Sequence, residues 1–167
     1  MILRVLLTLA LALVTLPGCA GYALESTFDE DVQTVHLPIF DNTTFAYGLE
    51  AELTEAIAKE MHRVTPWRVT SSDAADTQLR GAITDVDKRE LSTDGVSGLV
   101  QELATVITVS FEWTDARTGE VLVARQAFSV AEPFAPLRGA QERPETGEAS
   151  AIDRLARDIV AELRTGW

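Results

Sequence analysis

Apolar residues recur along this chain with two distinct periods. Val35, Leu37 and Ile39 alternate with Thr34, His36 and Pro38, the period of two that lays apolar side chains on one side of a strand, and the run ends at Phe40. Pro38 has no amide hydrogen to give to a ladder, so the strand is expected at a sheet edge or to end there. Asp41-Asn42-Thr43-Thr44 has turn chemistry. From Gly48 to Arg63 the residues Leu49, Leu53, Ile57 and Met61 fall on every fourth position, which predicts an amphipathic helix. Pro66 closes it, and Trp67-Arg68-Val69-Thr70 opens a second extended segment.

Further along, Leu79, Gly81 and Ile83 predict a strand within Thr77–Val86, with a bulge or an end where Asp85 breaks the alternation. Leu103, Thr105, Ile107, Val109, Phe111 and Trp113 form the more apolar face of the clearest strand. Asp115–Gly119 then predicts a hairpin turn into Glu120–Val130, paired antiparallel with it. Ala131–Gly147, with Pro133, Pro136 and Pro144, is expected to be a loop. From Glu148 the stripe Ile152, Leu155, Ala156, Ile159, Val160 and Leu163 predicts a helix reaching nearly to Trp167. The order predicts an α+β layer, β-α-β-β-β-α, with two helices packed on one face of a mostly antiparallel, about four-stranded sheet in a single domain over 32–167.

Composition changes the picture at the N-terminus. Met1–Leu16 carries one charge, Arg4, followed by the apolar run Val5–Leu16. A helix of that run covers only about 18 Å, against roughly 30 Å of hydrocarbon, so a cleaved signal peptide over 1–18 is the expectation. The sole cysteine follows in Leu16-Pro17-Gly18-Cys19, which resembles a bacterial lipoprotein box. A small residue before the cysteine suits the peptidase, and a thiol emerging at the membrane surface can take a diacylglyceryl group. Cys19 is therefore the expected lipidation site, with 19–31 as the acylated lead. The alternative is an ordinary secretory signal with an incidental thiol. Ala20 and Gly21 follow without an aspartate, which by resemblance to bacterial lipoproteins implies outer-membrane sorting. Several acyl chains such as palmitate, at about 0.8 kcal/mol per buried methylene, would anchor the protein.

The formal net charge is -12, with 26 acidic against 14 basic residues. Phosphate binding needs clustered Lys and Arg, so a nucleic-acid partner is not expected. Between Cys19 and Glu60 nine acids face Lys59 alone, and an anionic lipid surface would repel that end. The chain also lacks an enzyme's constellation. His36 and His62 are the only histidines, Asp94-Gly95-Val96-Ser97-Gly98 is not a symmetric nucleophile elbow, and Asp29-Glu30-Asp31 lacks the spaced ligands of a calcium loop. No cofactor, no metal and no catalysis are expected. Asp87–Gln101 reads as a long inter-strand loop carrying Lys88 and Arg89, an adjacent basic pair. The pair either points to water or contacts lipid phosphates or a partner.

Taken in order, several segments resemble the LptE family of lipopolysaccharide-assembly lipoproteins. They are Cys19-Ala20-Gly21-Tyr22, Val35-His36-Leu37-Pro38-Ile39-Phe40-Asp41-Asn42, Leu53-Thr54-Glu55-Ala56-Ile57, Ala75-Asp76-Thr77-Gln78-Leu79-Arg80-Gly81 and Thr118-Gly119-Glu120-Val121-Leu122. The resemblance implies two helices on a four-stranded sheet. It also implies a place inside the large outer-membrane barrel LptD, on its periplasmic side or in its lumen, assisting insertion of lipopolysaccharide. The LptD-type barrel is thus the expected partner and lipopolysaccharide a second one, although the acidic charge favours a plug over a direct lipid binder. Leu37–Thr44 also looks like the strand exit of envelope lipoproteins that regulate peptidoglycan synthases or build secretion pores, which is the alternative.

Overall fold

Backbone pairing organises the chain around three long strands. The computed structural model describes residues 32–93, 95, 100–134 and 144–165. Cys19, the Asp29-Glu30-Asp31 run and the Ser97 segment lie outside the described residues. The elements are β1 (Thr34–His36), β2 (Asp41–Asn42), α1 (Leu49–Val64), β3 (Arg68–Thr70), β4 (Thr77–Thr93), β5 (Val100–Asp115), β6 (Val121–Phe134) and α2 (Pro144–Thr165).

The α+β class and the two helices are as expected, but the sheet is not. It has six strands in the order β3-β1-β4-β5-β6, with β2 also beside β4. β4, β5 and β6 form the expected antiparallel meander. β1 instead runs parallel to both β3 and β4, and β2 runs parallel to β4, so the sheet is mixed. The physical reason is the crossover: α1 carries the chain back along the sheet, so β3 must point the same way as β1. β2, at two residues, is too short to reveal itself by period, and the direction in which β1 and β3 pair is not written in theirs.

β1 is flanked on both sides and ends before Pro38, which removes the need for a ladder donor there. Beyond the proline the alternation fails. Ile39 is 68% exposed and Phe40 turns inward, with its ring against the open face of Gly81. A Cβ at position 81 would overlap that ring and the Ser110 carbonyl.

β4 continues seven residues past Val86, and β5 begins where the long loop was expected to end, with Thr93 opposite Val100. The register shift between Ile83 and Asp85 is the bulge that Asp85 signalled. The expected loop Ala131–Gly147 is also shorter, since Phe134 still belongs to β6 and Pro144 already opens α2. Proline suits a first helical position, where its missing N–H has no intrahelical partner to lose.

The two helices pack against each other and against the sheet. Leu49, Leu53, Ile57 and Met61 of α1 meet Leu155, Ile159 and Leu163 of α2 in one cluster with Ile107, Val109, Phe111 and Trp113 of β5. Trp67, just before β3, lies 4.9 Å from Trp113 between ring centroids. At the far hairpin, Asp115 Oδ1 accepts the N–H groups of Arg117 and Thr118 at 2.8 and 2.7 Å, and Gly119 takes φ 75°. This is the turn that the Asp115–Gly119 sequence predicted.

Candidate functional site

Between β2 and α1, the segment Thr43–Gly48 is built around one side chain. Asn42 Oδ1 accepts the Thr44 N–H at 2.9 Å and the Thr44 hydroxyl at 2.7 Å. Its Nδ2 donates to the Ala46 carbonyl at 2.9 Å and to Glu50 Oε2 at 2.8 Å. Glu50 Oε2 also accepts the Gly48 N–H at 3.0 Å, and the Thr43 N–H donates to the Ile83 carbonyl at 3.0 Å. The Asn42 amide, first among these contacts, holds the Glu50 carboxyl below its usual range. Gly48, at φ 96°, then turns the chain into α1 without a capping side chain.

A segment tied down this way does not hide its apolar residues. Phe45 is 92% exposed and Tyr47 83%. With Ile39, they are three of the five large apolar side chains that stand exposed among the described residues. Large aromatic surface on an ordered backbone is what protein interfaces use as anchors, because little conformational entropy remains to be lost on contact.

Phe45 also walls a groove of about 670 Å³. Thr43, Thr44 and Ala46 line the same side, Thr84–Lys88 of β4 form the floor, and Glu148 of α2 closes the end. The sequence signal for this surface was two aromatics, Phe45 and Tyr47, placed between turn residues and a helix whose apolar stripe starts only at Leu49. Turn chemistry drew attention to the backbone and away from the rings.

Lys88 and Arg89 lie in this neighbourhood, but in β4 and not in a loop. Adjacent strand residues point to opposite faces, so the two cations do not form a joint clamp. Lys88 Nζ reaches Glu148 Oε1 at 2.9 Å, while Arg89 Nε lies 3.3 Å from Asp87 Oδ2. Lys88 lines the groove and Arg89 does not.

His36 sits in β1, and His62, exposed on α1, touches the backbone of β3. His36 Nδ1 lies 2.8 Å from Gln78 Nε2 and 3.2 Å from Asp73 Oδ1, and His62 Nε2 accepts the Val69 N–H at 3.4 Å. Among the described residues no group of three or more His, Cys, Asp or Glu side chains is placed to hold a metal ion. Likewise, no helix among them is long and apolar enough to cross a membrane.

Residues 32–165 match the family model described as LptE, lipopolysaccharide-assembly. No curated protein matches the chain. Among solved structures, the fold is similar to a hypothetical protein from Chlamydia trachomatis, with TM-score 0.56, 14% identity, and coverage of 80% of this chain and 96% of that one. An uncharacterized lipoprotein B from Nitrosomonas europaea gives TM-score 0.51 at 17% identity, covering 81% and 86%. The PelC dodecamer from Paraburkholderia phytofirmans gives TM-score 0.50 at 18% identity, covering 80% and 86%. At these identities the likeness is one of fold.

Proposed function

Because the chain belongs to the LptE lipopolysaccharide-assembly family, we propose that it is a non-enzymatic outer-membrane lipoprotein that serves as plug and assembly partner of an LptD-type β-barrel. The observation that carries this reading is the extent of the family match, which runs from the first described strand through the last helix. In this reading residues 1–18 are removed, Cys19 carries the acyl chains, 19–31 is the lead, and the single domain 32–167 sits on the periplasmic side of the barrel or in its lumen. A compact domain of that length has a radius of gyration of roughly 15 Å, a size that suits the lumen of a large barrel.

The surface supports a role in protein contact. Phe45 and Tyr47 stand ready as anchors. A net charge of -12 opposes broad contact with phosphate-rich lipid, and Lys88, the one cation among the described residues lining the groove, is already engaged by Glu148. Lys88 and Arg89 remain separate candidate contacts, one on each face of β4. The protein orders or fills the barrel while lipopolysaccharide passes, and no covalent step is needed.

The test is replacement of Cys19 by Ala in cells, followed by fractionation, mass measurement of the mature protein, and capture of the barrel. The variant is expected to lose the acyl mass, leave the membrane fraction and recover less LptD-type barrel. An unchanged mass and unchanged membrane association would remove Cys19 as the anchor. Absence of a barrel from the wild-type capture would overturn the assembly role.

A further inference from the structure

The remaining unassigned feature is the edge of β4 that no other described strand covers. On the side away from β5, β1 covers Thr77 and Gln78, and β2 covers Ala82 and Ile83. The last backbone bond along that edge runs from the Thr43 N–H to the Ile83 carbonyl. There the chain rises off the sheet into the Asn42-centred segment. From Asp85 onward, among the described residues, β4 pairs only with β5.

Between the register shifts next to Thr84 and Leu91, Asp85–Glu90 keeps continuous register with β5, a regular length of about 20 Å. In such a ladder alternate residues turn their N–H and C=O groups outward. The two outer strands of the sheet are different. β3 has only three residues, and β6 carries a register shift beside Gln126, with Ala127 at φ 55°, and Pro133 near its end, the features with which edges resist pairing.

The β4 edge opens into the groove walled by Phe45. Among the described residues, Asp85, Asp87 and Glu148 line it with Lys88; Lys88 pairs with Glu148 and Arg89 with Asp87, while Asp85 has no ion pair among the described residues. Charge therefore selects the occupant. A second copy of a chain at -12 is repelled, and so is the chain's own lead with Glu25, Asp29, Glu30 and Asp31. We infer that the Asp85–Glu90 edge of β4 accepts an extended segment of a partner protein as an added strand, continuing where β2 leaves off. Basic residues of that segment face Asp85 and Asp87, and an apolar residue rests beside Phe45. Main-chain bonds supply the affinity and the groove supplies the preference. The inference stands on the edge and the groove, whichever protein provides the segment.

The test uses the purified full chain in detergent and a labelled peptide of about nine residues alternating Lys and Val, long enough to span one strand. Saturable binding is expected, and the matching Glu-Val peptide should bind at least about tenfold more weakly. N-methylation of alternate residues removes the donors from one side of the peptide. One N-methyl register should lose binding by about tenfold or more while the other retains it, since only one register spares the bonds to β4. Asp85→Lys with Asp87→Lys, both on the surface, should weaken the Lys-Val peptide about tenfold. Absence of saturable binding, equal binding by both N-methyl registers, or equal binding of the acidic peptide would each overturn the inference. None of these measurements requires a barrel or lipopolysaccharide, so their failure would leave the proposed assembly role standing.

Discussion

At the scale of single residues, two polar side chains organise backbone that apolar packing leaves undetermined. Asn42 does so for the aromatic segment, and Asp76 for the start of the sheet. Asp76 Oδ2 accepts the Thr34 hydroxyl at 2.7 Å, the Thr34 N–H at 2.8 Å and the Gln33 N–H at 3.1 Å. The Thr34 hydroxyl, ahead of the Gln33 N–H, holds the Asp76 carboxyl below its ordinary range. The folded state thus binds this proton less readily than the unfolded chain. The resulting stability is complete above the ordinary aspartate value, near 4, and is lost as pH falls through the depressed folded value. Asp76→Asn should lower stability near neutral pH by no more than about 1 kcal/mol, because the group is largely solvent-exposed. The gap to wild type should close as the pH is taken below about 4. Urea midpoints measured across that range check this, and a gap that stays constant would contradict the assigned role. None of these bonds was legible in the sequence, since Thr34 and Asp76 are 42 positions apart and nothing in either segment names its partner.

At the scale of elements, legibility followed the length and one-sidedness of the apolar pattern. The stripe of α2 and the face of β5 were read correctly, and Leu155, Ile159 and Leu163 are fully buried, as are Ile107, Val109 and Trp113. Leu155→Asp should destabilise the fold by several kcal/mol by placing an unpaired charge between α2 and the sheet. Thermal unfolding checks it, and an unchanged Tm would show that this helix face does not carry the core. The far half of β4 escaped for the opposite reason. Asp85, Asp87, Lys88, Arg89 and Glu90 give no apolar alternation, and the strand exists because β5 pairs with it. The same misreading set Lys88 and Arg89 side by side on a loop, when the pleat sends them to opposite faces. β1 and β3 were read as extended segments and β2 as a turn; what escaped was their pairing, because a strand's own residues do not say which neighbour it joins or in which direction, and with that went the parallel half of the sheet.

At the scale of the whole molecule, charge and surface divide the work. The helices and the sheet enclose the core, and the charge of -12 keeps the exterior from settling on anionic lipid. Among the described residues, the ordered aromatic segment stands exposed beside the β4 edge that β2 leaves uncovered, and these are the surfaces proposed for recognition. The family match over 32–165 points to lipopolysaccharide assembly as the setting. The family was legible in the sequence because its segments keep their order along the chain. The contact surface was not, because exposure of Phe45 and Tyr47 is a property of the folded segment. The central claim is that this surface meets an LptD-type barrel. It is tested most directly by placing a photo-crosslinking residue at Tyr47 in intact cells and identifying the trapped protein by mass spectrometry. The account predicts a crosslink to the barrel from Tyr47 and none from Arg117, on the hairpin turn where the side chain is 84% exposed. A crosslink from Tyr47 to a peptidoglycan synthase or to a second copy of this chain, with no barrel product, would contradict it.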